Sequence, residues 1–99
     1  MNGGGLSERE WALIGGILSR HPAVRGALLF GSRAKGTARA SSDVDLALEG
    51  VDDPLEVEAI AGELDELALP YHFDVEALGA IQSRALVEHI ERVGVRIYG

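Results

Sequence analysis

Apolar residues recur along this chain with two periods in turn, helical and then alternating, and that switching restricts the fold to helices layered on a sheet. Ser7 and Glu10 have capping-box spacing and Leu6 and Trp11 sit at the staple positions, so a first helix is expected from Ser7. Trp11, Ile14 and Leu18 continue one apolar stripe, and Pro22 closes the segment. Gly15 and Gly16 lie inside this helix. Each costs about 1 kcal/mol against Ala unless close packing on a sheet offsets it. Val24 to Phe30 reads as a strand ending in the apolar run Ala27-Leu28-Leu29-Phe30. Gly31 to Ser42 is small, polar and partly basic, with room for a short helix around Ser32–Lys35. Asp43 to Leu48 alternates, with Asp43, Asp45 and Ala47 on one face and Val44, Leu46 and Leu48 on the other.

Asp52, Asp53 and Pro54 make a turn that can start the next helix. Its stripe is Val57, Ile60, Ala61, Leu64 and Ala68, opposite Glu56, Glu63 and Glu66, and Pro70 ends it. Tyr71 to Val75 forms a third strand, with His72 and Asp74 facing away from Tyr71, Phe73 and Val75. A last helix runs from about Ser83 to Val93, with Gly94 as its C′ residue, and Val95 to Tyr98 adds a short terminal strand. The order predicts an α+β, two-layer fold: a small mixed sheet of three or four strands with helices packed on one face.

Ninety-nine residues fit one domain, residues 1–99. The absence of cysteine excludes disulfides, thiolate metal sites and cysteine nucleophiles. No apolar run approaches the ~18 residues of a membrane span, and the Met-Asn-Gly-Gly-Gly start lacks signal-peptide features, so a cytoplasmic location away from membranes is expected. Acids outnumber bases 16 to 9, for a net charge of −7. That sign argues against direct binding to a nucleic-acid backbone. Yet Arg33, Lys35 and Arg39 form a basic stretch just ahead of two aspartates. A local cationic patch beside carboxylates, on an acidic chain, points to a small anionic ligand.

The chemistry is concentrated there. Asp43 and Asp45 are two apart on a strand, roughly 7 Å between Cα atoms, so their carboxylates repel unless a divalent cation sits between them. Mg2+ takes a few carboxylate oxygens plus water and substrate phosphates, and Asp74 on another strand can complete the site or accept a proton. Upstream, Gly31-Ser32 turns off the first strand and offers backbone N–H groups to an anion. Ser32 adds a hydroxyl, and Arg33 and Lys35 add charge, which suits the β- and γ-phosphates of a nucleoside triphosphate. His21, His72 and His89 have no metal-ligand spacing. Arg39 reads as a loop charge, Trp11 as core, and the acidic helix face as solvated.

Gly31-Ser32, ten residues, then Asp43-Val44-Asp45 resembles the signature of the DNA polymerase beta-like nucleotidyltransferase superfamily. The fuller string Gly-Ser-Arg-Ala-Lys-Gly, followed by Ser42-Asp43-Val44-Asp45-Leu46-Ala47, resembles its minimal nucleotidyltransferase (MNT) branch. Lys35 stands where many relatives carry Arg. The resemblance implies nucleotidyl transfer across two Mg2+ ions, with ATP as substrate and Asp43, Asp45 and Asp74 as metal-binding and catalytic residues. Gly31, Ser32, Arg33 and Lys35 would hold the nucleotide. It further implies an antitoxin in a hetero-oligomer with a HEPN ribonuclease toxin, silenced by AMP placed on a tyrosine. Two alternatives stay open: an antitoxin that acts by binding alone, and a stand-alone enzyme that modifies a small molecule.

Overall fold

The computed structural model describes residues 4–36 and 42–99. Arg39 lies outside them. Helix α1 spans Glu8–Leu18, strand β1 Gly26–Phe30, helix α2 Gly31–Lys35, strand β2 Val44–Glu49 and helix α3 Pro54–Asp65. Strand β3 covers Phe73–Ala77, a 3-10 turn Leu78–Ala80, helix α4 Arg84–Val93 and strand β4 Val95–Tyr98. The sheet is mixed, in the order β3-β2-β1-β4. Strand β1 is antiparallel to both β2 and β4, and β2 is parallel to β3. A parallel pair needs a crossover, and α3 supplies it.

Side-chain caps start the three longer helices, α1, α3 and α4, where the sequence predicts. The Ser7 hydroxyl accepts the Glu10 N–H at 3.1 Å, and the Glu10 carboxylate accepts the Ser7 N–H at 2.9 Å. Asp53 accepts the Leu55 N–H at 2.9 Å with Pro54 in the first turn, and Ser83 accepts the Leu86 N–H at 3.2 Å. Leu6 and Trp11 both join the main core. The glycine pair in α1 has no packing reason. A Cβ on Gly16 would meet nothing within 4 Å, and one on Gly15 would touch only the Tyr98 ring at 3.9 Å.

Several details differ from expectation, and strand β1 begins at Gly26 rather than Val24. Helix α3 stops at Asp65, and Ala68 sits beyond it with φ +59° rather than on its stripe. Strand β3 is shifted two residues later, which leaves its two faces as predicted because the side-chain period is two. Gly94 caps α4 in an extended conformation (φ −64°, ψ 148°), not a left-handed one. Its missing Cβ matters because that atom would collide with the Ile90 carbonyl oxygen.

The main core lies on one face of the sheet. Ala27, Leu29, Val44, Leu46 and Leu48 pack there under Ile14, Ile17 and Leu18 of α1 and Ile60 and Leu64 of α3. Helix α4 corrects the one-face expectation. Its Ile90 covers Leu28, Phe30 and Ala47 on the opposite face, with Leu78, Ile81 and Leu86 beside it. The cause is the run Ala27–Phe30: every residue of β1 is buried, so both of its faces need cover. Helix α4 therefore shares its face with the aspartates, and it covers Leu28 and Ala47 while Asp74 stays exposed.

Candidate active site

Two strands and a turn meet at one end of that face. Phe30, the last residue of β1, is the Cα partner of Asp45, and Asp45 is the partner of Asp74 across the parallel β2–β3 pair. Asp43 precedes β2 by one residue, two before Asp45. The structure thus brings Asp43, Asp45 and Asp74 to one place, with Asp45 half-buried and the other two exposed. Glu76 follows on the same face, opposite Ala47. Glu76 is not among the residues singled out from the sequence, although its spacing from Asp74 is the same two-residue step that pairs Asp43 with Asp45.

The turn out of β1 is fitted to Asp45. Gly31 has φ +75°, and a Cβ there would collide with the Asp45 carboxylate. Only glycine meets both demands. Helix α2 starts at this residue and is capped after Lys35 by Gly36, also left-handed at φ +77°. Ser32 is half-buried and Lys35 exposed, both on α2, the helix that leads out of the Gly31 turn.

Arg33 departs from the expected phosphate ligand. It is only 5% exposed. Its Nε and Nη2 donate to the Ser42 carbonyl at 3.1 and 2.8 Å, and Nη1 donates to the Gly4 carbonyl at 2.9 Å. The guanidinium lies 4.8 Å from the centre of the Tyr71 ring. The Tyr71 hydroxyl donates in turn to the Glu10 carboxylate at 3.1 Å.

Burial pushes the Asp45 carboxyl above its ordinary range, and Asp74, Asp43 and Glu76 push it further, while Arg33 opposes them. A divalent cation would relieve that repulsion. Among the described residues no three carboxylate or imidazole groups converge into a ready coordination cage. Two or three separated carboxylates suit Mg2+ nonetheless, since it fills its shell with water and phosphate oxygens. The donor set, all oxygen and no cysteine, fits that hard cation. No helix among the described residues is long and apolar enough to cross a membrane.

His21 sits between two carboxylates of α3, with Nδ1 3.2 Å from Glu56 and Nε2 3.1 Å from Glu63. The Glu63 hydrogen bond raises its pKa most, the Glu56 bond adds to it, and burial opposes both. The acidic helix face is therefore partly neutralised from within the chain.

Comparison with known proteins places this geometry. A family description of the polymerase beta nucleotidyltransferase domain matches residues 13–99. A chain from a crystal structure of a toxin–antitoxin with AMP-PNP superposes with a TM-score of 0.76 at 27% identity, covering 90% of this chain and 73% of that one. A chain of the MntA–HepT toxin–antitoxin superposes with a TM-score of 0.71 at 23% identity, over 94% of this chain and 73% of that one. A further one comes from a tri-AMPylated Shewanella oneidensis HEPN toxin in complex with MNT antitoxin. Its TM-score is 0.72 at 23% identity, over 95% of this chain and 73% of that one. The latter two share the fold. No match is found among curated protein sequences. With the family match covering most of its length and the carboxylates gathered beside the Gly31-Ser32 turn, this chain belongs to the polymerase beta nucleotidyltransferase family.

Proposed function

We propose that residues 1–99 act as one minimal nucleotidyltransferase domain that moves AMP from ATP to a hydroxyl, a tyrosine of a HEPN-type toxin, and thereby serves as the antitoxin in a cytoplasmic complex with that toxin. The observation that carries this reading is the register Asp45↔Asp74 beside a turn whose glycine abuts Asp45. The toxin–antitoxin relative with AMP-PNP, at 27% identity, supports the choice of ATP and of partner.

In this reading Asp43 and Asp45 would hold Mg2+, and Asp74 would contribute a further oxygen or take the acceptor proton. Bound there, Mg2+ would neutralise phosphate charge and make the α-phosphorus easier to attack. The rest is done by the chain. Gly31 and Ser32 present backbone and hydroxyl donors to the β- and γ-phosphates, and Lys35 adds a cation from the exposed face of α2. The acceptor oxygen forms its bond to the α-phosphorus while the α–β bridging bond breaks, and pyrophosphate leaves with the electron pair. Asp74, exposed to incoming groups, receives the proton. A binding-only antitoxin would keep the fold with no need for these contacts.

The test is transfer of label from α-labelled ATP to the purified HEPN partner, with wild type and with Asp43→Asn/Asp45→Asn. Label on the partner with wild type alone supports the reading. ATP binding without labelled partner, under the same conditions, overturns it.

A further inference from the structure

Arg33 is the one buried charged side chain among the described residues. Burying a guanidinium is unfavourable unless its donors are satisfied. Here Nε, Nη1 and Nη2 each donate to a main-chain oxygen, with the Tyr71 ring beneath the guanidinium. The two bonds to the Ser42 carbonyl and the bond to the Gly4 carbonyl use three of its nitrogens. The Gly4–Gly5 segment passes close over it. A Cβ on Gly4 would come within 2.7 Å of Leu29 and 3.0 Å of the Arg33 Cβ, and one on Gly5 within 3.2 Å of Arg33 Nη1.

Two of these partners, Ser42 and Tyr71, share a place in the chain just ahead of a site carboxylate. Ser42 is bonded directly to Asp43. Tyr71, under the guanidinium, lies three residues before Asp74. Between those two segments the Val44 N–H donates to the His72 carbonyl at 2.8 Å. Arg33 itself is two residues beyond Gly31, which abuts Asp45. One side chain therefore ties the Gly31-Ser32 turn to the start of β2 and to the start of β3. Tyr71 is fixed from its far side by Glu10, whose carboxylate also caps α1.

We propose that Arg33 is a positioning residue: it holds Asp43 and Asp74 at a fixed height relative to the Gly31-Ser32 turn, and does not contact the nucleotide. Its effect on transfer rests on the reading given under Proposed function; the tether itself does not. Lysine keeps the charge but loses the planar fork and the stacking, so it cannot reproduce the set of bonds.

The experiment compares wild type with Arg33→Lys. Tyr71→Phe, which keeps the ring and cuts the bond to Glu10, is the second variant should the first not fold. Hydrogen exchange is followed without metal or nucleotide in segments 42–45 and 71–74, with α3 as internal reference. The tether predicts exchange in both segments roughly tenfold faster in Arg33→Lys, with a smaller rise in Tyr71→Phe and α3 unchanged. In the transfer reaction Arg33→Lys lowers kcat by about 30-fold or more. The Mg2+ needed for half-maximal rate rises about tenfold. Affinity for AMP-PNP changes by less than about threefold, because no ligand contact is lost. A loss of AMP-PNP affinity matching the loss of rate, with exchange unaltered, would make Arg33 a phosphate ligand and overturn the proposal. Folded Arg33→Lys with wild-type kcat and Mg2+ dependence would reduce it to a purely structural residue and overturn it equally. If wild type transfers nothing, the functional reading fails by itself, and unaltered exchange in Arg33→Lys would still refute the tether.

Discussion

Gly31 and Gly36 bracket helix α2 with almost the same φ, +75° and +77°, and they form a built-in control. An alanine at either position must adopt the left-handed conformation, at about 1–2 kcal/mol. Their surroundings differ. A Cβ on Gly36 meets nothing within 4 Å, whereas one on Gly31 runs into the Asp45 carboxylate, with the Asp45 Cγ at 3.1 Å and Cβ at 3.5 Å. Asp45 must move by about an ångström to admit it, and a displacement of that size at a reacting centre costs on the order of 100-fold in rate. Gly31→Ala and Gly36→Ala should therefore lose comparable stability in urea unfolding, about 1–2 kcal/mol each, with some excess for the crowding at Gly31. In the transfer assay they should separate, with Gly36→Ala within about threefold of wild type and Gly31→Ala down by about 100-fold. Equal activity of the two variants would refute the claim that Gly31 is there to seat Asp45.

Further outcomes follow from the same geometry. Asp45→Asn removes a carboxylate that burial and three acidic neighbours disfavour, so it should stabilise the metal-free protein at pH 7 by up to about 1 kcal/mol while abolishing transfer; thermal melts with EDTA check it. His21 has a raised pKa, so its pairing with Glu63 and Glu56 is fully present below its ordinary value of 6.5 and fades as pH rises through the higher folded value. His21→Gln should thus cost about 1–2 kcal/mol at pH 6 and clearly less at pH 9, read from urea unfolding at the two values. Gly16→Ala, in a helix position with open space around it, should stabilise by about 0.5–1 kcal/mol. Ala68→Gly, at φ +59°, should do the same by relieving left-handed strain, and differential scanning calorimetry measures both.

What could be read in the sequence was local. The Ser7–Glu10 box, the Asp53-Pro54 start and the alternation through Asp43–Leu48 each depend on residues a few positions apart, and each appears in the structure. The two-face burial of β1 was also written in its unbroken apolar run, but a one-face layering was expected in its place. The remaining features are long-range. His21 meets partners 35 and 42 positions away, and Arg33 reaches back to Gly4, 29 positions off. No periodicity announces such contacts. Arginine beside a glycine-rich turn suggests phosphate from sequence alone; only the packing of Gly4 and Tyr71 around it reveals the other use. The candidate site was legible in its carboxylates because Gly-Ser and Asp-x-Asp keep fixed spacing, whereas the partnership Asp45↔Asp74 follows from the parallel pairing that α3 makes possible.

Intact-mass spectrometry of the proposed HEPN partner reads out any transfer of nucleotide to its hydroxyls. The partner is co-expressed with this protein and, separately, with its Asp43→Asn/Asp45→Asn variant. One or more added AMP masses are expected with wild type and none with the variant. An unmodified partner held in a stable complex by both proteins would contradict the proposed transfer, and would mean that the chain acts by binding alone.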